Sequence, residues 1–426
     1  MYDIDSIISW IRSVPEETSS PPKGPKKRRA DQQLTSPPAS LDSNGHNMAS
    51  TPKKRRLQTG ENALDLDATP RPGPHSSASF SNTSSTTSSP KKQLMSLRLS
   101  ESGVEIKPLD VNASPEAAQD FVSTMEEIGR AHDILPQALE ATIIEQVKAR
   151  DMDHRKWRYS FKPEVDTLPG RIPSFKEVEK IRRKASECQE FNHEEVSWNS
   201  QVHLRLLESI FEEVFGEQCG QFNAMSCTTA RLHREFKPIS SPTKMIDICV
   251  YASLDRDAVL CDKATEFSHM TPTQTINYTD FEPLRMRPLV LSIETKKPGV
   301  HWDTAQLQIG IWHAAQWSFL RWAVGQKLLR QRIENDTETW TEEEHNEKTL
   351  AVLSTLGFIP GVIIQGHRWH LVLSTYKDGK TRLWADHQFG TTQSCLEIYA
   401  TIAGMRQLVA WARDVYLPWF EGTILG

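Results

Sequence analysis

Cysteine is scarce and scattered. The 426-residue chain has six (Cys188, Cys219, Cys227, Cys249, Cys261 and Cys395), none in a C-x-x-C pair. That spacing argues against a zinc site and against a secreted disulfide framework, and it suits a reducing interior. No apolar run approaches the roughly 18 residues of a membrane span. The opening MYDIDSIISWIRSVPEE carries acids and a Trp where a secretory leader carries a basic region. Aliphatic residues are almost missing from Pro15 to about Ser96, where Ser, Pro, Thr, Lys and Arg dominate. Such a segment cannot bury enough surface to offset its chain entropy. These absences predict an intracellular, soluble protein with a disordered tail over 1–109 and a folded part over 110–426.

What the tail does contain is charge of one sign. The net charge of −5 splits into 14 Lys/Arg against 9 Asp/Glu over residues 1–100, and 36 against 46 over the rest. A basic tail thus joins an acidic body. Two compact clusters stand out: Lys26, Lys27, Arg28 and Arg29, then Lys53, Lys54, Arg55 and Arg56. Each reads as a nuclear-import signal taken by an import receptor, as a phosphate contact, or as a solvated charge run; two similar clusters favour import and a nuclear location. Ahead of them, Ile4, Ile7, Ile8 and Ile11 would share one side of a short helical motif, either frayed or a docking peptide.

From residue 110 the periodicity predicts accessory helices over 110–190. The first is capped by Ser114 and Pro115, the second follows Pro136, and a third stretch, 173–215, breaks near Phe191–His193. The core, 191–426, then runs as helix, strand (220–232), strand (244–254), strand (from 288), helix (303–331) and strand (361–366). Strands at 369–376 and 380–386 and a closing helix near 396–416 complete it. One α/β domain follows from this order.

PLVLSIETKKPG, residues 288–299, places Val290, Ser292, Glu294 and Lys296 on one face of a strand. A carboxylate and an ammonium at a strand's end form a rim ion pair or a site. In KMIDICVY, Asp247 stands alone between apolar neighbours, with no inexpensive structural excuse. Two acids on adjacent strands repel unless a cation lies between them. Mg²⁺ or Mn²⁺ held by Asp247, Glu294 and the backbone carbonyl of Thr295 answers that, with Lys296 acting on a bound water.

An Asp on one strand and Glu-x-Lys on the next resembles the signature of the PD-(D/E)XK nuclease superfamily. SWNSQVHLRLL, KMIDICVY, SIETKKPG, AQLQIGIWHAAQW and VIIQGHRWHLVLST, in that order, look like fungal PD-(D/E)XK nuclease-like domain proteins, closest to the RecB-like branch. The resemblance implies a restriction-endonuclease-like mixed central sheet flanked by helices, an αβββαβ core. Ile246 stands where the name-giving Pro would be, and the long spacing from Asp247 to Glu294 implies an inserted hairpin or lid. Gln308 and Trp312 resemble the Gln-xxx-Tyr of the RecB-like branch, with Gln308 toward water or phosphate and Trp312 either there or in the core. His203 matches the helix His that is a metal ligand in that branch; its alternative is a hydrogen bond to Asn199, and it is preferred to Glu208. The activity implied is Mg²⁺-dependent hydrolysis of nuclear DNA. The alternative is a silent nuclease fold that binds nucleic acid or protein.

Overall fold

The computed structural model describes residues 89–110, 113–212, 220–238, 245–255, 257–334 and 340–426. The expected helical motif at 4–14, the disordered tail and both basic clusters lie outside the described residues.

In chain order, α1 (Pro90–Leu99) and β1 (Val104–Pro108) precede α2 (Gln119–Gly129), α3 (Glu140–Lys148) and α4 (Phe175–Glu190). α5 runs as Glu195–Trp198, a π turn Asn199–His203 and Leu204–Phe211. β2 (Phe222–Ser226), β3 (Ile248–Ala252), α6 (Ala258–Met270), β4 (Leu289–Lys296) and α7 (Trp302–Glu334) follow. Then come α8 (Glu342–Ser354), β5 (Ile359–Gln365), β6 (Arg368–Lys377), β7 (Lys380–Thr391) and α9 (Cys395–Trp411).

Seven strands form one mixed sheet in the order β1-β7-β6-β5-β4-β3-β2. β4 sits in its middle, antiparallel to β3 and parallel to β5, with every residue buried. A strand covered on both faces reads as a continuous apolar run, as PLVLSI does. Its register puts Ser292 beside Gly361 and Glu294 beside Ile363. On this face lies α7. Gly361 makes the close approach possible, since a Cβ there would stand 2.6 Å from His313 Nε2. His313 Nδ1 and Trp317 Nε1 both reach Ser374 Oγ, at 2.8 and 2.9 Å. The opposite face receives α5 and α9, with Val202, Leu206 and Ile210 of α5 all buried.

The sequence α5-β2-β3-β4-α7-β5 is the expected αβββαβ core, and the class is the expected mixed sheet flanked by helices. Four details differ. Residues 90–108, expected within the tail, form α1 and β1, because Leu97 and Val104 bury themselves against the core. The insertion between β3 and β4, expected as a hairpin or lid, carries a helix, α6, started by Asp257 accepting from the Val259 and Leu260 amides. A further helix, α8, opens on a capping box between Thr341 and Glu344. The helix expected at Ser114 starts as a 3₁₀ turn, Glu116–Ala118, before α2.

Candidate active site

The C-terminal end of β4, the entry to β3, the first turns of α5 and α7 and the β5–β6 turn meet at one end of the sheet. Asp247 lies just ahead of β3. Its backbone carbonyl accepts from Cys227 N–H at 2.7 Å. Its Oδ2 accepts the Thr295 amide and hydroxyl, both at 2.9 Å. In a strand the N–H and C=O of one residue point to the same edge, so the Thr295 carbonyl also faces the Asp247 side.

Glu294 is 0% exposed, and neither carboxylate oxygen has a well-formed hydrogen bond. Its close partner is the Lys296 ammonium, 2.7 Å from Oε1. Burial, and then the negative charge of Asp247, raise the Glu294 pKa well above the carboxylate range, against the opposing pull of Lys296. Lys296 is itself 3% exposed. Burial alone favours its neutral amine, but the charges of Glu294, Glu195 and Asp247 prevail and hold the ammonium above the usual lysine range. Glu195, in the first turn of α5, stands 3.5 Å from Lys296 Nζ. The neighbouring Glu194 pairs with Lys297 at 2.8 Å.

Gln308 comes from α7 and donates through Nε2 to the Met245 carbonyl at 3.0 Å, two residues before Asp247. Its Oε1 is buried without a partner. His203 is fully buried, its ring stacked on Trp198 at 5.7 Å. Nε2 lies 2.9 Å from the Gly366 carbonyl and Nδ1 3.0 Å from Asn199 Oδ1. Both partners are acceptors and a neutral ring has one N–H, so only one of the two contacts carries the proton unless the Asn199 amide is turned to present its NH₂ to Nδ1. Burial, only partly opposed by that carbonyl, lowers the His203 pKa to about 4. With both nitrogens engaged, His203 acts as a tie between α5 and the β5–β6 turn, and this arrangement does not support a ligand role. The tie reaches the site: Gly366 N–H donates to the Lys296 carbonyl at 2.9 Å. Gly366 has φ +57°, and a Cβ there would stand 2.4 Å from Pro298 Cγ. Trp312 is buried against Tyr278 in the core, and Glu208 pairs with Arg205 at 2.7 Å.

A model of the PD-(D/E)XK nuclease superfamily matches residues 142–417. The chain belongs to the PD-(D/E)XK nuclease superfamily. No curated protein and no solved structure matches it significantly. No helix among the described residues is long and apolar enough to cross a membrane.

PD-(D/E)XK nucleases generally use divalent metals. Among the described residues, no three His, Cys, Asp or Glu side chains are gathered as a metal-binding group. The donor chemistry nevertheless fits a hard cation: two carboxylates, one of them fully buried, and a backbone carbonyl on the same side. The Lys296 ammonium supplies positive charge beside these carboxylates. The sequence reading missed Glu195. An acid in a helix's first turn is favoured by the helix dipole anyway, so its only signal was its place at the start of the helix bearing His203.

Proposed function

We propose that this PD-(D/E)XK superfamily member hydrolyses phosphodiester bonds in nucleic acid, DNA foremost, with Mg²⁺ or Mn²⁺. The observation that supports this most is Glu294: a fully buried carboxylate whose close partner is the Lys296 ammonium, beside a second carboxylate that raises its pKa. Asp247, Glu294 and the Thr295 carbonyl would hold the cation, which supplies Lewis-acid polarisation of the scissile phosphate. Lys296 orients the attacking water and faces the charge that grows on the phosphoryl oxygens. The unpartnered Oε1 of Gln308 is an acceptor for that water. Glu195 lies 3.5 Å from Lys296 Nζ, so the ammonium would keep an anchor if a cation took over Glu294. Water adds to phosphorus, one P–O bond breaks, and the departing oxygen takes a proton.

The test is cleavage of linear, circular and single-stranded substrates with Mg²⁺ or Mn²⁺, comparing the wild type with Asp247→Asn. Activity that depends on the cation and falls at least about 10²-fold in the variant supports the reading. One feature favours the rival, a silent fold used for binding: the body's 46 acids against 36 bases over residues 101–426 suit a nucleic-acid grip poorly. Wild-type inactivity on all three substrates, with melting curves unmoved by either cation, would establish the rival. The nuclear location rests on the two basic clusters. A fluorescent fusion lacking Lys26–Arg29 and Lys53–Arg56 leaves the nucleus if they are the import signal.

A further inference from the structure

The acid excess of the body is not spread evenly. Residues 148–184 carry twelve Lys/Arg against six Asp/Glu. The reversal centres on HRKWRY, residues 154–159, where Trp157 is 4% exposed and its neighbours point outward. Trp157 packs between Phe161, Phe175 and Tyr399, at centroid distances of 6.4, 6.4 and 5.9 Å. The loop is further fixed by Asp133 N–H and Leu135 N–H, which donate to the Tyr159 and Ser160 carbonyls at 2.8 and 2.9 Å. It is therefore a rigid display, not a loose charge run. On it Tyr159 is 60% exposed, with the Arg158 guanidinium 5.1 Å from its ring centroid. Two of the carboxylates nearby are already engaged. Asp153 pairs with Arg155 at 2.9 Å, and Glu127 is held by Arg130 and His132.

The positive charge continues along α4. Lys176, Lys180 and Arg183 are exposed and recur at i, i+4 and i+7, on one outward stripe. Of the acids on α4, Glu177 pairs with Arg171 at 2.6 Å, Glu179 with Arg150 at 3.1 Å and Glu187 with Lys184 at 2.9 Å, while Glu190 at the far end is exposed. None of Lys156, Arg158, Lys176, Lys180 and Arg183 is in an ion pair among the described residues. The 16 residues of α4 span about 24 Å from the Trp157 loop to the turn before α5. At that end Phe191 is 65% exposed, and Glu195, which touches Lys296, follows four residues later.

We propose that the 154–159 loop and the outer stripe of α4 form a docking track for a single nucleic-acid strand on its way to the candidate active site. Phosphates lie on Lys156, Arg158, Lys180 and Arg183, and an unpaired base stacks on Tyr159. Stacking demands an accessible base face, which a paired duplex does not offer there. The span matches about 7 nucleotides at a rise of about 3.4 Å each, and fewer in an extended strand. The proposal rests on the nuclease reading for the identity of what is bound, and its test separates the two.

The experiment measures fluorescence anisotropy of a labelled 20-nucleotide single strand with EDTA present, alongside turnover of bis(p-nitrophenyl) phosphate with Mn²⁺. The small diester reports the site alone, being too short to reach the track. The variants are Lys156→Glu/Arg158→Glu, Lys180→Glu/Arg183→Glu and Tyr159→Ala, all at exposed positions, with folding checked by melting. Each charge-reversed pair should weaken strand binding at least about 10-fold and flatten the log–log salt dependence by about 1.4, from two contacts at about 0.7 each. Tyr159→Ala should cost roughly 10-fold for the single strand and nothing for a blunt duplex. Diester turnover should be unchanged throughout. Unchanged strand affinity in the variants, a wild type that does not bind, or equal competition by inorganic polyphosphate would each overturn the track. Expected binding losses in a protein without diester turnover would keep the track and remove the hydrolytic reading.

Discussion

Replacing Lys296 by Met keeps the apolar stem and removes the ammonium 2.7 Å from Glu294 and 3.5 Å from Glu195. At a partly solvated strand end the change would be mild; both residues of this pair are instead buried. In the variant, burial and Asp247 continue to oppose ionisation of Glu294, and the one favourable neighbour is gone. Its pKa, already raised, rises further. A carboxyl whose pKa is raised on folding contributes stability that is full below its unfolded value, near 4.5, and is lost as pH climbs through the folded value. In the wild type the Lys296 ammonium limits that loss. The variant's deficit should therefore be small at pH 5 and grow with pH by at most about 1.4 kcal/mol per unit. Because the wild-type value is itself raised, the growth sets in only above that value, and its ceiling is the about 3–5 kcal/mol that breaking a buried pair costs. Urea denaturation of metal-free protein at pH 5, 6, 7 and 8 measures this directly. Mn²⁺ should restore more stability to the variant than to the wild type, because a cation bound only to the folded state stabilises it by mass action. A deficit that shrinks as pH rises, or one that Mn²⁺ leaves untouched, would refute the reasoning.

Asp247→Asn removes the second charge that raises the Glu294 pKa, so it should raise the metal-free melting temperature and abolish any shift on adding Mg²⁺ or Mn²⁺, as read by scanning fluorimetry. His313, fully buried, has its pKa lowered to about 3 by burial. A His kept neutral on folding loses stability as pH falls below its unfolded value near 6.5, so the slope of stability against pH between 6.5 and 4 should drop by about 1.4 kcal/mol per unit in His313→Leu. Gly366→Ala forces a Cβ toward Pro298 at positive φ, and chemical denaturation should show a loss of about 1–3 kcal/mol with reduced cleavage.

Much of the site was legible because strand chemistry is local. The alternation in PLVLSIETK gives the faces of β4 directly, and a lone Asp in ICVY-type surroundings announces itself. His203 was legible in part: its spacing from Asn199 showed the hydrogen bond, but the second partner, Gly366, lies 163 residues away and no local pattern points to it. The burial of Lys296 was hidden for the same reason. Lys-Lys-Pro-Gly reads as a solvated strand exit, and only the arrival of α5 with Glu195 closes over it. α8 was missed because EEEHNEK looks like a polar linker; its cap at Thr341 and the burial of Thr349 and Leu353 are what make it a helix. β1 was missed because five residues carry too little pattern to declare a strand.

That last element has a kinetic consequence. β1 pairs in parallel with β7, Val104 against Thr381 and Pro108 against Ala385, so the sheet's first strand in sequence docks on its last. A ribosome must deliver nearly the whole domain before this edge can close, and the closure spans some of the longest loops the chain offers. Until then β7 presents an unpaired row of amides and carbonyls, the template on which chains join one another. A truncation starting at residue 110, the boundary suggested by composition, would make that transient state permanent. Such a fragment should fold around an intact candidate site and still aggregate along its far edge.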